Sequence, residues 1–266
     1  GVFRLELDVP AGFEVRQVRG KAAAGAGEVA VDSHHLEGKD KTRLVVNLSR
    51  KALGRVALAV QLQRDLKEPD LLTPTGKAVQ VALPVPKVAP EGVERATGRL
   101  VVYAPESLRV NPGKIEGLRS ISLQEALEGT QSSRQGRSSE ARPVLAFAFT
   151  QEPTTCPLAA ERRKPQVTIR QFLVARVEEG VVQYRATFFY NVLYSGVKSL
   201  RIDVPDKIAG QLRNLTPTIR DKTIDPQPAG VAKGCVAWSF TGQTELLGDG
   251  RIELAWQTNI PKLDVG

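Results

Sequence analysis

Phe3-Arg4-Leu5-Glu6-Leu7-Asp8-Val9 alternates apolar and charged side chains without a break and closes on Pro10. A period of two puts all the apolar groups on one face, as an extended strand does and a helix does not. Leu5-Glu6-Leu7-Asp8-Val9-Pro10 returns as Leu200-Arg201-Ile202-Asp203-Val204-Pro205, an offset of 195 (5 to 200). A second run, Leu53-Gly54-Arg55-Val56-Ala57-Leu58-Ala59-Val60-Gln61, matches Asp249-Gly250-Arg251-Ile252-Glu253-Leu254-Ala255-Trp256-Gln257 at an offset of 196 (56 to 252). Two blocks at nearly one offset predict a repeated module. A period of that length leaves room for one full copy and roughly a third of another, so the chain is expected to be a segment of a longer tandem protein.

The same period organises the rest of the chain. Val182, Tyr184, Ala186, Phe188 and Tyr190 alternate with Gln183, Arg185, Thr187 and Phe189; Val236, Trp238 and Phe240 repeat the pattern, as do Ile252, Leu254 and Trp256. One dry and one wet face is what antiparallel sheets require. Glu179-Gly180, Ser195-Gly196 and Gly248-Asp249-Gly250 supply turns between runs. The expected class is all-β, with antiparallel, immunoglobulin-like β-sandwich modules in tandem and one short helix. That helix is predicted at Ser122-Leu123-Gln124-Glu125, a capping box followed by Ala126-Leu127-Glu128 and stopped at Gly129. Residues 130–140 read as a polar loop and Asp225-Pro226-Gln227-Pro228 as a surface loop. Pro84, Pro86 and Pro90 stiffen a connector. The predicted division is an incomplete first β module over 1–83, a connector with strands and the short helix over 84–143, and a second β-sandwich module over 144–266.

Hydrophobic content of 41% and charged content of 25% fit a folded protein. No apolar run approaches the roughly 20 residues of a membrane-spanning helix, so no transmembrane segment is predicted. The net charge of +8 invites a polyanion, but basic residues alternate with acidic ones, as in Arg4, Glu6 and Asp8. Aromatic residues, at 5%, are not interleaved with the basic ones as a stacking platform for bases would need. Nucleic acid is therefore not expected as a partner; other modules of the same longer chain are, with an acidic polymer or glycan as the ligand class that the basic surface suggests. A repeated β module without Met points to the extracellular space or the periplasmic cell envelope.

Cys156 and Cys235 are an even pair in a chain expected outside the cytoplasm, which makes them a candidate disulfide worth about 2–4 kcal/mol. No cysteine or histidine cluster has the spacing of a zinc site. His34 and His35 adjoin Asp32 and Glu37, but neighbours on a strand point to opposite faces, so neither a metal site nor a Ser33-centred triad is expected. Asp8 and Asp203 each precede Val-Pro and are expected to accept a backbone hydrogen bond at the end of a strand. Gly25-Ala26-Gly27 lacks the context of a phosphate loop. Trp238 and Trp256 fall on inward-alternating positions, nearest to Val46 and Val60 of the first copy; they are expected in the core, and become candidate sugar-stacking aromatics only if exposed. No catalytic residue, cofactor or metal is predicted.

The Leu-x-Leu/Ile-Asp-Val-Pro strand, the later Gly-Arg-hydrophobic strand and the Leu83-Pro84 to Gly98-Arg99-Leu100-Val101-Val102 connector loosely resemble long tandem β-sandwich envelope proteins of planctomycete-like bacteria. The resemblance implies a structural or interaction segment and brings no catalytic residues. A carbohydrate-binding module attached to a polysaccharide-active enzyme is the alternative, which exposed coplanar aromatics would favour. Two carboxylates facing across a cleft would instead point to polysaccharide hydrolysis.

Overall fold

The computed structural model describes residues 1–22, 27–89, 93–128, 141–151, 155–224 and 229–260, without the side chains of 221 and 222. The expected loops at 130–140 and 225–228, Gly129, Pro90 and most of the Gly25-Ala26-Gly27 run lie outside these residues. The chain divides into two compact units, Gly1–Arg162 and Arg163–Gly266.

The first unit opens with β1 (Val2–Asp8), β2 (Glu14–Lys21), β3 (Val31–Glu37), β4 (Arg43–Ala52) and β5 (Ala57–Gln63). β7 (Lys87–Val88) joins one sheet in the order β3-β4-β1-β7, and β2 pairs with β5 in a second, every ladder antiparallel. The apolar half of each alternation meets in one core, with Leu7, Val18, Leu44, Val46 and Leu48 buried and Leu5, Leu58 and Val60 packed against them. Asp8, Glu6 and Arg4 stay on the wet side, where Arg4 reaches Glu6 at 2.8 Å.

A second pair of sheets follows in the same unit. β8 (Gly98–Pro105), β10 (Arg119–Ser120) and β11 (Ala141–Phe149) form one; β6 (Ala78–Pro84), β9 (Leu108–Pro112) and β12 (Thr155–Arg162) form the other. Phe147, Val102, Cys156 and Leu158 make their common core. Two short helices flank them, α1 (Pro69–Leu72) and α2 (Leu123–Leu127). α2 is the predicted helix: the Ser122 hydroxyl accepts the Glu125 backbone N–H at 3.0 Å. α1 was not anticipated; Pro69 opens it and Leu71 buries beneath Val81 and Ala160.

The second unit holds β13 (Gln166–Glu178), β14 (Val181–Pro205), a third short helix α3 (Asp206–Ala209), β15 (Arg213–Asn214), β16 (Ile219–Ile224) and β17 (Cys235–Asn259). β14 and β17 are 25 residues each and pair along both their halves, with the register broken between Val192 and Ser199. Tyr194 lies in that break with a left-handed backbone, φ 73°. Both halves feed one core, in which Phe240, Ile252 and Leu254 are buried beside Leu200 and Val204.

Pairings of the first five strands recur in the second unit. Leu5 opposes Val46 and Leu7 opposes Leu44; Leu200 opposes Phe240 and Ile202 opposes Trp238. The irregular pair Val2 with Ala52 corresponds to Val197 with Leu246, again just before a shift. β3 on β4 matches β16 on β17: Leu36 opposes Leu44 as Ile224 opposes Trp238, and each ladder slips once, between Val31 and Ser33 and between Ile219 and Asp221. On the opposite sheet, Arg19 opposes Ala59 and Gly20 opposes Leu58, as Arg213 opposes Ala255 and Asn214 opposes Leu254.

The first compact unit runs on through β11 and β12 to Arg162, since these two strands complete the sheets begun by β8, β9 and β6. Three short helices stand among the described residues where one was expected. Trp238 takes the ladder place of Leu44, and Phe240 that of Val46; Trp256 does stand where Val60 does.

Candidate functional site

Trp238 and Trp256 are both half-buried and pack against the core of the second unit. The Trp256 ring lies on Tyr184, directly opposite it in the β14–β17 ladder, with centroids 5.1 Å apart and planes 8° from parallel. The ladder fixes this geometry: two large rings in facing positions on one face of a sheet stack instead of interdigitating. Neither tryptophan stands out as a flat platform.

Two exposed aromatics of the second unit lie on the opposite face of the sheet. Phe172 is 61% exposed and Phe189 48%. Phe189 opposes Arg170 and Phe172 opposes Thr187, so the two rings are diagonal neighbours across β13 and β14. On the same face Arg251 opposes Phe189 and pairs with Glu253 at 3.0 Å. The signal was present in the sequence, since Phe189 occupies a polar position of an otherwise strict alternation. That departure marks an aromatic group held in water.

His35 Nε2 sits 2.9 Å from Glu37 Oε1, and Arg4 donates to the other oxygen of that carboxylate at 3.1 Å. These hydrogen bonds, His35's foremost, hold the Glu37 carboxyl below the ordinary carboxylate range. His34 stands on the other face of the strand. Among the described residues no three side chains of His, Cys, Asp or Glu are gathered to hold a metal ion. Asp203 accepts the Ala232 backbone N–H at 3.3 Å, the structural role expected of it, and is gripped by Arg201. A shallow cleft of about 590 Å³ near the end of β5 is lined by Glu14, Arg64, Asp65, Lys67 and Glu68 among others. Arg16 pairs with Glu14 at 2.9 Å and Arg64 with Glu68 at 3.9 Å, so two of its carboxylates already have a cation beside them.

Cys156 and Cys235 are free thiols. Cys156 belongs to the first unit, where it is fully buried in the core between β11 and β12, and that burial pushes its thiol up to about 11. Cys235 belongs to the second unit, half-buried at the start of β17 opposite Pro205. Within its own unit Cys156 packs as a small apolar core group.

No helix among the described residues is long and apolar enough to cross a membrane. Comparison with protein-family models, with curated proteins and with solved structures finds no match to this chain.

Proposed function

We propose that this chain is a non-enzymatic structural or interaction segment of a larger exported bacterial protein, of the kind represented by the long tandem β-sandwich envelope proteins it loosely resembles. The observation that carries this reading is the recurrence of three ladders, two of them with their irregularity in the same place, at offsets between 188 and 196 (Ser33 to Asp221, Leu58 to Leu254). The two sets of strands are copies of one module. What the copies share is structural: Leu7 and Ile202, Val46 and Phe240, Asp8 and Asp203 with their Val-Pro. What they do not share is anything reactive, since His34 and His35 stand where the other copy has Lys222 and Thr223. A module duplicated for its packing and not for a reactive set suits spacing and surface presentation.

An antibody raised against the chain and applied to fractionated cells of the source organism tests this. The expected result is a species larger than this chain in the envelope or the medium. A cytoplasmic species of the chain's own size would overturn the reading.

The alternative, a carbohydrate-binding module, is favoured by one observation, the exposed diagonal pair Phe172 and Phe189 among arginines. Acidic and neutral polysaccharides titrated against the chain, with Phe172→Ala as the control, separate the two readings. Saturable binding lost in that variant supports the module.

A further inference from the structure

We propose that copies of this chain associate head to tail, the edge strand β13 of one pairing with the open edge of β5 in the next. The second unit shows what the β5 edge accepts. β17 there occupies the place of β5, and it is flanked on one side by β15, as β5 is by β2. On its other side runs the first half of β14, antiparallel, with Ala186 opposite Leu254, Tyr184 opposite Trp256 and Phe188 opposite Ile252. The corresponding side of β5 carries no strand among the described residues. Its side chains register the difference: Ile252 and Leu254 are each 1% exposed, whereas their counterparts Val56 and Leu58 are only half-buried.

β13 is built to fill such a place. It is an edge strand of thirteen residues, paired only with β14, in a ladder without a bulge or a proline. Natural edges are usually blunted by one of those devices. Every residue of β13 is exposed, and its odd-numbered face is apolar apart from Gln171, presenting Val167, Ile169, Leu173, Ala175 and Val177. That face continues the core side of the sheet, since Leu173 opposes the buried Ala186 and Ala175 opposes Tyr184.

One register satisfies both strands. With Ala175 of the incoming strand opposite Leu58, Leu173 falls opposite Val60 and Val177 opposite Val56. This copies the pattern of β14, a small alanine between two larger apolar groups facing the same three ladder places. The pairing joins apolar faces to apolar faces and gives both rows of open backbone groups their partners. It requires the register equivalence, holds whether or not the chain is exported, and concerns this 266-residue chain: in a longer tandem protein a preceding module would offer its own strand to the same edge. Each copy brings one edge of either kind, so the contact is heterologous and extends beyond a dimer unless a ring closes.

The test is sedimentation of the chain over a concentration series, with hydrogen exchange measured at both ends of the series. The expected result is a mass rising through multiples of one chain, with slowed exchange at residues 57–63 and 166–178 together. Leu173→Lys with Val177→Lys, both on exposed positions, abolishes the rise while circular dichroism stays native. Val174→Lys, on the other face of β13, retains it. A single-chain mass throughout, protection of 166–178 without 57–63, or an association indifferent to the paired lysines would each overturn the proposal.

Discussion

Tyr184 and Trp256 stand opposite each other across the β14–β17 ladder with their rings stacked at 5.1 Å. Trp256 also packs against the second unit's core cluster, which holds Leu254 and Ile252. Replacing Trp256 by Ala removes both the ring's burial and its partner, and is expected to cost about 3 kcal/mol in denaturant unfolding. Combined with Tyr184→Ala, it should give a double-mutant coupling of about 1 kcal/mol. Additive effects would mean that the rings share a core without supporting each other.

Gly250 is held against the ring of Tyr190, its ladder partner, so closely that any side chain at 250 would enter the ring. The aromatic ring covers the strand where glycine leaves it bare. Gly250→Val is expected to destabilise the second unit by about 1–3 kcal/mol despite valine's preference for strands. Gly20 is the more constrained position in the first unit, where an added Cβ would meet the backbone carbonyl of Val29. Thermal melting of Gly250→Val and of Gly20→Ala, each expected to melt below the parent chain, checks the pair; a valine at 250 that raises the melting temperature would contradict the contact.

The fold was legible wherever one strand face was dry and the other wet. Phe3–Val9 and the Leu200–Pro205 run announce themselves because burial acts on every second residue. β13 breaks that rule: Leu173 and Val174 are adjacent, apolar and both exposed, so alternation gives no hint that it is an edge. The sheets made by β6 and β8–β12 were harder still. Pro157 lies within β12, and a proline in a run argues against a central strand. It is tolerated because the ladder with β9 begins only at Leu158, and on that side Pro157 merely accepts the Gly113 backbone N–H at 2.8 Å, a contact that asks no N–H of the proline. Trp238 and Trp256 pack against the core of the second unit. The exposed Phe172 and Phe189 escaped notice, since two rings on neighbouring strands become one patch only when the register is known.

Arg201 donates to Asp203 from Nε at 2.8 Å and from Nη2 at 3.1 Å, a two-armed grip on the wet face of β14. That hydrogen bonding, with the Ala232 backbone N–H in support, lowers the Asp203 carboxyl from its ordinary value. A lowered carboxyl stabilises the fold above the unfolded value, near pH 4, and loses that effect as pH falls through the folded value. The melting temperature of the chain should therefore exceed that of Asp203→Asn at neutral pH, and the gap should narrow on acidification below about pH 4. A gap independent of pH would assign the difference to packing alone.

The two cysteines differ in what surrounds them, and the difference is measurable. Cys156 has no exposed surface and its thiol is pushed up to about 11 by burial. A thiolate is the reactive form, so Cys156 is both unreachable and in the wrong state at neutral pH. Cys235 is half-buried at a strand terminus and accessible. A maleimide added to the native chain should label Cys235 alone, with Cys156 reacting only after denaturant is added. The alkaline behaviour follows from the same burial. A thiol raised above its unfolded value of 9.0 stabilises the fold below that pH and loses the effect as pH climbs towards about 11. The first unit should weaken over that interval, and Cys156→Ala should remove this component of the alkaline loss, at the cost of a smaller core group at every pH. Rapid labelling of both thiols in the native chain would show that the core between β11 and β12 opens readily, and the burial argument would then fail.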